Sequence, residues 1–512
     1  MSQPTMNRQL QALLEGLVPA DVVVPAVEVL ALTDDSRQVK AGSLFFARSG
    51  TNVDGVRFIG QALEQGAVAV ILPDFSLETA TAAGFGGDRR LIPVSDLPAV
   101  MAAVASRFHG HPAESLRIIG VTGTNGKTSV AHFIAEALAT VASPVGSIGT
   151  LGIGVIDAQG RREMTVTENT TPGNLRVFEA LAGFRDAGAR YVVMEVSSHA
   201  MTQRRLEAVP VEVAVFTNLT RDHLDYHGDL EAYFEAKALL FEHKGLKEAV
   251  INMDDRHGCK LFDRYCERVS CWAYGLGDRP WEAGEARLIQ ARAVRMTKQG
   301  LALDVDTPFG KARFRSRLFG TFNASNLLAA LGALLALGMP QEQALAALAG
   351  VEAPPGRMQR LFLGEGRPQV VVDYAHTADA LEQVLRALRG HVKGRIWCVF
   401  GCGGERDPGK RPAMGAVAER NADVLVITDD NPRGESGDEI VAQILSGLIA
   451  PDAVTVERDR RRAIEFALSQ AAGDDIVLIA GKGHEEYQEI GGQKWPFSDV
   501  QVVHDWAREV VA

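Results

Sequence analysis

No run of about 18 apolar residues occurs anywhere in the sequence, which argues against a membrane-spanning helix. The amino-terminal stretch lacks a basic segment followed by an apolar one, and residues 21–32 are interrupted by Pro25 and Glu28, so no secretory signal is read there. Cysteine is scarce: Cys259, Cys266, Cys271, Cys398 and Cys402 are odd in number and form no paired C-x-x-C clusters. That excludes the usual zinc spacing and predicts a reducing, cytoplasmic setting. Long blocks of like charge are also missing, and 53 Lys+Arg stand against 64 Asp+Glu, a net of −11. Non-specific nucleic-acid binding is disfavoured, and an anionic ligand would need cations supplied locally by particular loops. There is no tandem repeat and no low-complexity segment.

What is present is length and alternation. At about 150 residues per domain, 512 residues suffice for roughly three domains, each able to bury its own core. Up to residue 97, short apolar runs such as 67–72 alternate with Gly-rich turns, predicting a small α/β domain. A polar connector, 107–117, leads into the apolar strand 118–121. The second domain, 98–350, carries apolar strands at 191–196 and 211–217. It ends in an Ala/Leu-rich helical stretch, 324–350, broken at Gly338-Met339-Pro340. Residues 351–356 read as a linker.

In the third domain, 351–512, apolar runs at 370–373, 396–401, 424–429 and 476–481 alternate with helical patterns, predicting a doubly wound parallel sheet. Each run leads into a polar or Gly-rich cluster: Asp373-Tyr374-Ala375-His376, then Gly401 to Arg406, then Asp429-Asp430-Asn431-Pro432-Arg433, then Gly481-Lys482-Gly483-His484-Glu485. Ligands bind outside the carboxyl ends of such strands, so the four loops are expected to share one site.

The clearest chemical signal is Gly123-Thr124-Asn125-Gly126-Lys127-Thr128-Ser129, between the strand and a helical pattern at 130–138. Backbone N–H groups in such a loop surround phosphate oxygens, Lys127 offsets their charge and the Thr128 hydroxyl suits Mg²⁺, which fits ATP. A standard P-loop has glycine where this chain has Val121; here the glycine is Gly123, so the loop is a shortened form. Glu195 ends a strand, where an acid can reach a metal bridging the β and γ phosphates. Taken alone it would more often be a solvated residue, but polar clusters at 197–205 and 217–227 surround it in sequence. His223 in the second cluster suits Mg²⁺ or a phosphate. Lys237, on a helical pattern at 230–241, would alone be an ordinary solvated lysine.

Together, 123–128, Glu195-Val-Ser-Ser-His199, 217–228, 373–377 and 430–433, in this order, resemble the Mur ligases of peptidoglycan synthesis, and most closely their diaminopimelate-adding type. The shortened phosphate loop is that family's own form. The resemblance implies three α/β domains: a small one for a uridine diphosphate sugar, a central P-loop ATPase and a carboxy-terminal Rossmann-like domain for an amino acid. It implies ATP and Mg²⁺, the substrates UDP-N-acetylmuramoyl-L-alanyl-D-glutamate and meso-2,6-diaminopimelate, and a monomer that engages neither nucleic acid nor membrane.

By the same resemblance, Asp34, Ser36, Thr51, Asn52 and Val53 match the uridine side, although many members have an apolar residue at 34. Asn169, Thr170, Thr171, Ser197, Gln203 and Arg205 match the muramoyl-peptide contacts. Asn323, Asn326, Arg357, Asp373 and His376 match ATP contacts, and closure near 351–356 is implied. Thr128, Glu195, His223 and Lys237 match the metal site, with Lys237 carbamylated by CO₂. Arg406, Asp430, Asn431, Pro432, Arg433, Gly481 and Glu485 match the diaminopimelate pocket.

The implied reaction makes an acyl phosphate from the terminal glutamate carboxylate and ATP, which the amine of the second substrate then attacks. Arg433 is placed to grip the carboxylate that diaminopimelate has at its far end and lysine lacks, with Arg406 as a second cation and Glu485 for the ammonium. Two other readings compete. A folylpolyglutamate-type ligase would lack the roughly 100 residues before the phosphate loop, and a P-loop switch protein would leave the four polar loops of the last domain without an acceptor.

Overall fold

The structure is a computed structural model that describes residues 8–20, 22–48, 55–160, 162–277 and 287–511. By internal contacts the chain divides into two compact units, Met1–Trp272 and Ala273–Ala512, a division that falls inside the region 98–350.

The first unit opens with a four-stranded parallel sheet, in order Ala31–Thr33, Ser43–Phe46, Ala69–Pro73 and Leu91–Val94. Its inner strands are buried at every position, and apolar at all but Ser43, because both faces are covered. Leu44, Phe46 and Ile71 pack with Leu10, Leu13 and the helix Leu97–Phe108 on one side, while Phe45, Val70 and Leu72 pack with Ile59 and Ala62 on the other. That is the period-2 alternation of a strand.

The unit's second sheet runs Glu248–Asn252, Val213–Phe216, Arg117–Thr122, Tyr191–Glu195 and Val145–Gly149, all parallel, followed by antiparallel Gly152–Ile156 and Arg162–Thr165. Phe216 pairs with Thr122 and Val121 with Glu195. The segments after 122, 195 and 216 therefore leave the sheet at one edge. The helix after the phosphate loop spans Lys127–Ala142, starting three residues earlier than the expected 130 because Gly126, with φ of 84°, caps it in a left-handed turn.

In the second unit, an antiparallel meander, Arg287–Thr297, Gly300–Thr307 and Gly310–Ser316, precedes the helices Thr321–Ala336 and Gln341–Gly350. The interruption between these helices falls at Gly338 and Pro340, as expected. Residues 351–354 carry no regular structure. A six-stranded sheet follows, in order Gln359–Leu361, Gln369–Asp373, Ile476–Ala480, Ile396–Phe400, Val424–Ile427 and Thr455–Val456. The first strand is antiparallel and the rest are parallel. The four expected runs form its centre, with apolar clusters on both faces. A hairpin, Tyr487–Ile490 with Gln493–Pro496, was not anticipated. Among the described residues no helix is long and apolar enough to cross a membrane.

His391 ties two parts of this unit together and gives it a pH dependence. Its ring stacks on Phe319 at 4.1 Å, Nδ1 lies 2.8 Å from the Thr297 carbonyl and Nε2 accepts from Gly320 N–H at 2.9 Å. A ring that donates at one nitrogen and accepts at the other is neutral, and burial, with Arg360 nearby, lowers its pKa below the usual 6.5. The folded chain thus holds fewer protons than the unfolded one just below that value, so this stability is present above about pH 6.5 and is lost as pH falls. Chemical denaturation at about pH 7.5 and about pH 5.5 should show that His391→Gln reduces the loss of stability on acidification by up to about 1.4 kcal/mol per pH unit.

Candidate active site

The phosphate loop is built around Gly123. Its φ is 147°, and a Cβ there would lie 1.9 Å from Thr217 Oγ1, so only glycine lets the loop pass this close to the neighbouring strand end. Thr217 Oγ1 donates to the Asn125 carbonyl at 2.6 Å, while Asn218 Oδ1 accepts from Asn125 N–H at 2.9 Å. These contacts shape the loop from the polar segment 217–220. The first turn of the following helix carries no acidic residue, leaving its positive end for an anion. Lys127 Nζ donates to the carbonyls of Gly123 and Thr124, each at 2.9 Å.

Lys237 reaches the same point from a different helix, Leu230–Ala238. Its Nζ donates to the Gly123 carbonyl at 2.8 Å and lies 4.3 Å from the centre of the Tyr233 ring. The side chain is buried rather than solvated, with the residue only 1% exposed. Burial foremost, and then Lys127, hold its ammonium well below the ordinary lysine range. Burial also pushes the Tyr233 phenol up to about 12, so it stays protonated.

Glu195 is buried at the end of its strand. Oε2 accepts from the hydroxyls of Thr128 (2.9 Å) and Thr150 (3.2 Å), and Oε1 from Thr150 N–H at 2.7 Å. Gly149 makes the room, because a Cβ there would stand 2.3 Å from Oε1. Thr150 was not singled out in the sequence; its only signal is a Gly-Thr pair at a strand end.

His223 has a left-handed backbone and a half-exposed ring, 4.9 Å from His199 and 6.0 Å from Tyr233. His199 and His227 are each held below the usual histidine range, by burial first and then by neighbouring cations and rings, so they are neutral at neutral pH. Among the described residues no group of three or more His, Cys, Asp or Glu side chains forms a ready-made metal cage. A hydroxyl and a buried carboxylate beside a phosphate loop instead fit a cation whose remaining ligands are phosphate oxygens.

The candidate muramoyl-peptide residues lie beside this edge. Thr171 Oγ1 donates to the Glu195 carbonyl (2.8 Å) and accepts from Ser197 N–H (3.0 Å), and Thr170 is 3.2 Å from Thr150, hydroxyl to hydroxyl. Arg205 donates to the Thr171 carbonyl at 2.6 Å and twice to Gln203 Oε1. Burial and Arg48 hold the Arg205 guanidinium below its ordinary pKa, with Asp34 acting the other way. Asp34 itself pairs with Arg48 at 3.2 Å, an arginine the sequence reading passed over. Ser36 is buried, and the Asn169 carbonyl accepts from Thr167. Thr51, Asn52 and Val53 lie outside the described residues.

In the second unit, Asn323 Nδ2 donates to the Phe319 carbonyl and Asn326 Nδ2 to Asn323 Oδ1, fixing both on the helix Thr321–Ala336. Asp373 accepts from Met358 N–H (2.7 Å) and Ala375 N–H (2.8 Å); burial nonetheless raises its pKa. Arg357 lies 5.9 Å from the centre of the Tyr374 ring, and His376 Nδ1 is 2.9 Å from the Tyr374 carbonyl.

Across the carboxyl ends of the central strands, Arg433 is held in a left-handed turn with φ of 52°. Its Nη1 donates to the Gly404 carbonyl at 2.7 Å and Nε lies 3.3 Å from Glu489 on the unanticipated hairpin. A Cβ on Gly403 would meet both Arg433 Nη1 (3.0 Å) and Arg406 Cγ (3.6 Å), so the two arginines border one glycine. Asp430 is buried against Gly481, where a Cβ would come within 2.3 Å of its Oδ2, and the Pro432 carbonyl would clash with a Cβ on Gly404. Asn431 donates to Glu485 at 2.9 Å. A Cβ on Gly483 would lie 2.8 Å from Tyr374 Cβ, so the loop after Asp373 adjoins the others and the four strand-end loops meet.

Over the chain, residues 28–109 match the Mur ligase family catalytic domain, 121–334 the Mur ligase middle domain, and 356–483 the Mur ligase glutamate ligase domain. The chain is 47% identical to UDP-N-acetylmuramoyl-L-alanyl-D-glutamate--2,6-diaminopimelate ligase of Xanthomonas campestris pv. campestris (strain 8004), an alignment covering 96% of each. It is 48% identical to the Pseudomonas aeruginosa protein of the same name, covering 92% of this chain and 93% of that one. A solved structure of a ligase with this name superposes with a TM-score of 0.73 at 35% identity, covering 98% and 99% of the two chains. With all three domain types matched in order and nearly the full length aligned, the chain belongs to the Mur ligase family.

Proposed function

We propose that this protein is an ATP-dependent amide ligase that adds meso-2,6-diaminopimelate to UDP-N-acetylmuramoyl-L-alanyl-D-glutamate in cytoplasmic peptidoglycan precursor synthesis. Beyond family membership, the observation that carries the reading is the meeting of Lys127 and Lys237 at the Gly123 carbonyl, beside the Thr128–Glu195 pair. Mur ligases use ATP and Mg²⁺. Here Thr128, Glu195, His223 and Lys237, the last as a CO₂-derived carbamate, would hold the cation, which offsets charge on the transferring phosphoryl group.

The chain's own contribution is placement. Residues 123–129 cradle the phosphates, and Lys127 exchanges its carbonyl partners for phosphate oxygens as the γ-phosphate passes to the glutamate carboxylate. Asn323, Asn326, Arg357, Asp373 and His376 complete the nucleotide contacts. Asp34, Ser36 and residues 51–53 hold the uridine end, and Asn169, Thr170, Thr171, Ser197, Gln203 and Arg205 the muramoyl peptide. Arg433 and Arg406 take the distal carboxylate of diaminopimelate and Glu485 its ammonium, with Asp430, Asn431, Pro432 and Gly481 forming the pocket. Domains 1–97, 98–350 and 351–512 divide these tasks, in a monomer.

The deciding measurement is phosphate release from ATP. It should require both the uridine-linked dipeptide and diaminopimelate, with ADP, phosphate and amide formed one to one; turnover of ATP alone would favour a nucleotide switch.

A further inference from the structure

Lys482 has no part in the contacts assigned above, yet its side chain is fully buried, at 0% exposure, inside the amino-acid pocket. Burying an ammonium costs several kcal/mol unless its partners repay it, and an apolar residue of similar volume often packs as well. The partners of Lys482 are informative. Nζ donates to Glu485 Oε2 at 2.9 Å and to Asn431 Oδ1 at 2.9 Å, while Asn431 Nδ2 donates to the same Glu485 Oε2 at 2.9 Å. Asn431 Oδ1 also accepts from Glu489 N–H at 3.0 Å. The three side chains form a closed ring.

Two consequences follow from the donor and acceptor inventory. With two donors facing its oxygen, Asn431 has one amide orientation, and that orientation sends its NH₂ to Glu485. Glu485 in turn receives both bonds on Oε2, which fixes its carboxylate plane. Its Oε1 accepts no hydrogen bond among the described residues, and the side chain is 19% exposed. A carboxylate with one oxygen tied and the other open presents a single, directed acceptor.

We propose that Lys482 is a positioning residue of the amino-acid pocket, setting Asn431 and Glu485 so that one Glu485 oxygen meets the ammonium of the incoming diamino acid. This rests on the assignment of Glu485 to that ammonium. Lys482 acts on the substrate through Glu485, both directly and by way of Asn431, so Lys482 and Glu485 are energetically coupled rather than independent.

The test is a double-mutant cycle read by steady-state kinetics, with diaminopimelate and ATP varied in turn for Lys482→Met, Glu485→Gln and the double variant. Each single change should raise KM for diaminopimelate on the order of tenfold or more, with KM for ATP within about twofold. The double variant should match Glu485→Gln alone. Diaminopimelate KM unchanged in Lys482→Met, a parallel rise in ATP KM, or additive effects would each overturn the proposal. If Lys482→Met does not fold, the double variant, in which Glu485 is no longer left as a carboxylate without its cation, still decides: KM above that of Glu485→Gln refutes the role. An unaltered KM in Glu485→Gln would sink the assignment of Glu485 and this proposal together. A raised KM in Glu485→Gln with none in Lys482→Met removes Lys482 alone.

Discussion

Lys237→Ala is expected to lower kcat by on the order of 10²–10³-fold while the protein stays folded. A lysine that is 1% exposed, with its Nζ 2.8 Å from the Gly123 carbonyl, is an uncommon way to fill a helix face. Burial and the Lys127 charge favour its neutral amine, the form that adds to CO₂. On the proposed reading the adduct would replace that neutral amine by an anion at the phosphate loop, beside the Glu195 carboxylate that already receives Thr128. Removing the amine would therefore remove the proposed carbamate ligand of the cation together with its negative charge. The parent should show a carbamate carbon signal by NMR after incubation with ¹³C-bicarbonate, lose activity in CO₂-depleted buffer and recover it on adding bicarbonate. Lys237→Ala should show neither the signal nor the recovery. Full activity without CO₂ would show that the amine itself is the working group.

The sequence made this centre legible where its parts are contiguous. The loop 123–128 announces itself because one strand, one turn and one helix start place every phosphate-facing group within a few residues. The strand-end clusters of the last domain are visible for a related reason: buried parallel strands are apolar throughout, so the first polar residues mark their ends. What stayed hidden depends on partners distant in the chain. Thr150 acquires its meaning only from Glu195, 45 residues on, and Lys482 only from Asn431, 51 residues before it. Arg460 and Asp499, fully buried and joined by two hydrogen bonds of 2.7 and 2.8 Å, are 39 residues apart, and neither was singled out in the sequence. The insertion of Ile476–Ala480 between Gln369–Asp373 and Ile396–Phe400 is a matter of topology, to which local periodicity is blind. The hairpin after 486 escaped notice because its second strand, Gln493–Pro496, is exposed at every position and so lacks the alternation that marks a half-buried strand.

That hairpin bears on Arg433. Arg433→Ala is expected to cut kcat/KM for meso-diaminopimelate on the order of 10²–10³-fold, with KM for ATP within about twofold. The guanidinium is prepared before any substrate arrives. The Arg433 N–H donates to the Glu489 carbonyl (2.9 Å), Gly491 N–H donates back to the Arg433 carbonyl (2.7 Å), and the side chain, 16% exposed, rests on the Gly404 carbonyl and Glu489. Holding a left-handed residue this way costs stability that a surface arginine would not need. Among the described residues Nη2 donates to no partner, and on the proposed reading it would donate to the ligand carboxylate. Deleting one partner of a guanidinium–carboxylate pair in a partly desolvated pocket costs about 2–5 kcal/mol, a range that contains the roughly 3–4 kcal/mol of the expected loss. Lysine has no carboxylate at that end, so its use should change little, and the preference for diaminopimelate over lysine should collapse. An amino-acid panel with the uridine-linked dipeptide measures this directly; a preference left intact in Arg433→Ala would assign the distal carboxylate to another cation, with Arg406 across Gly403 the next to test.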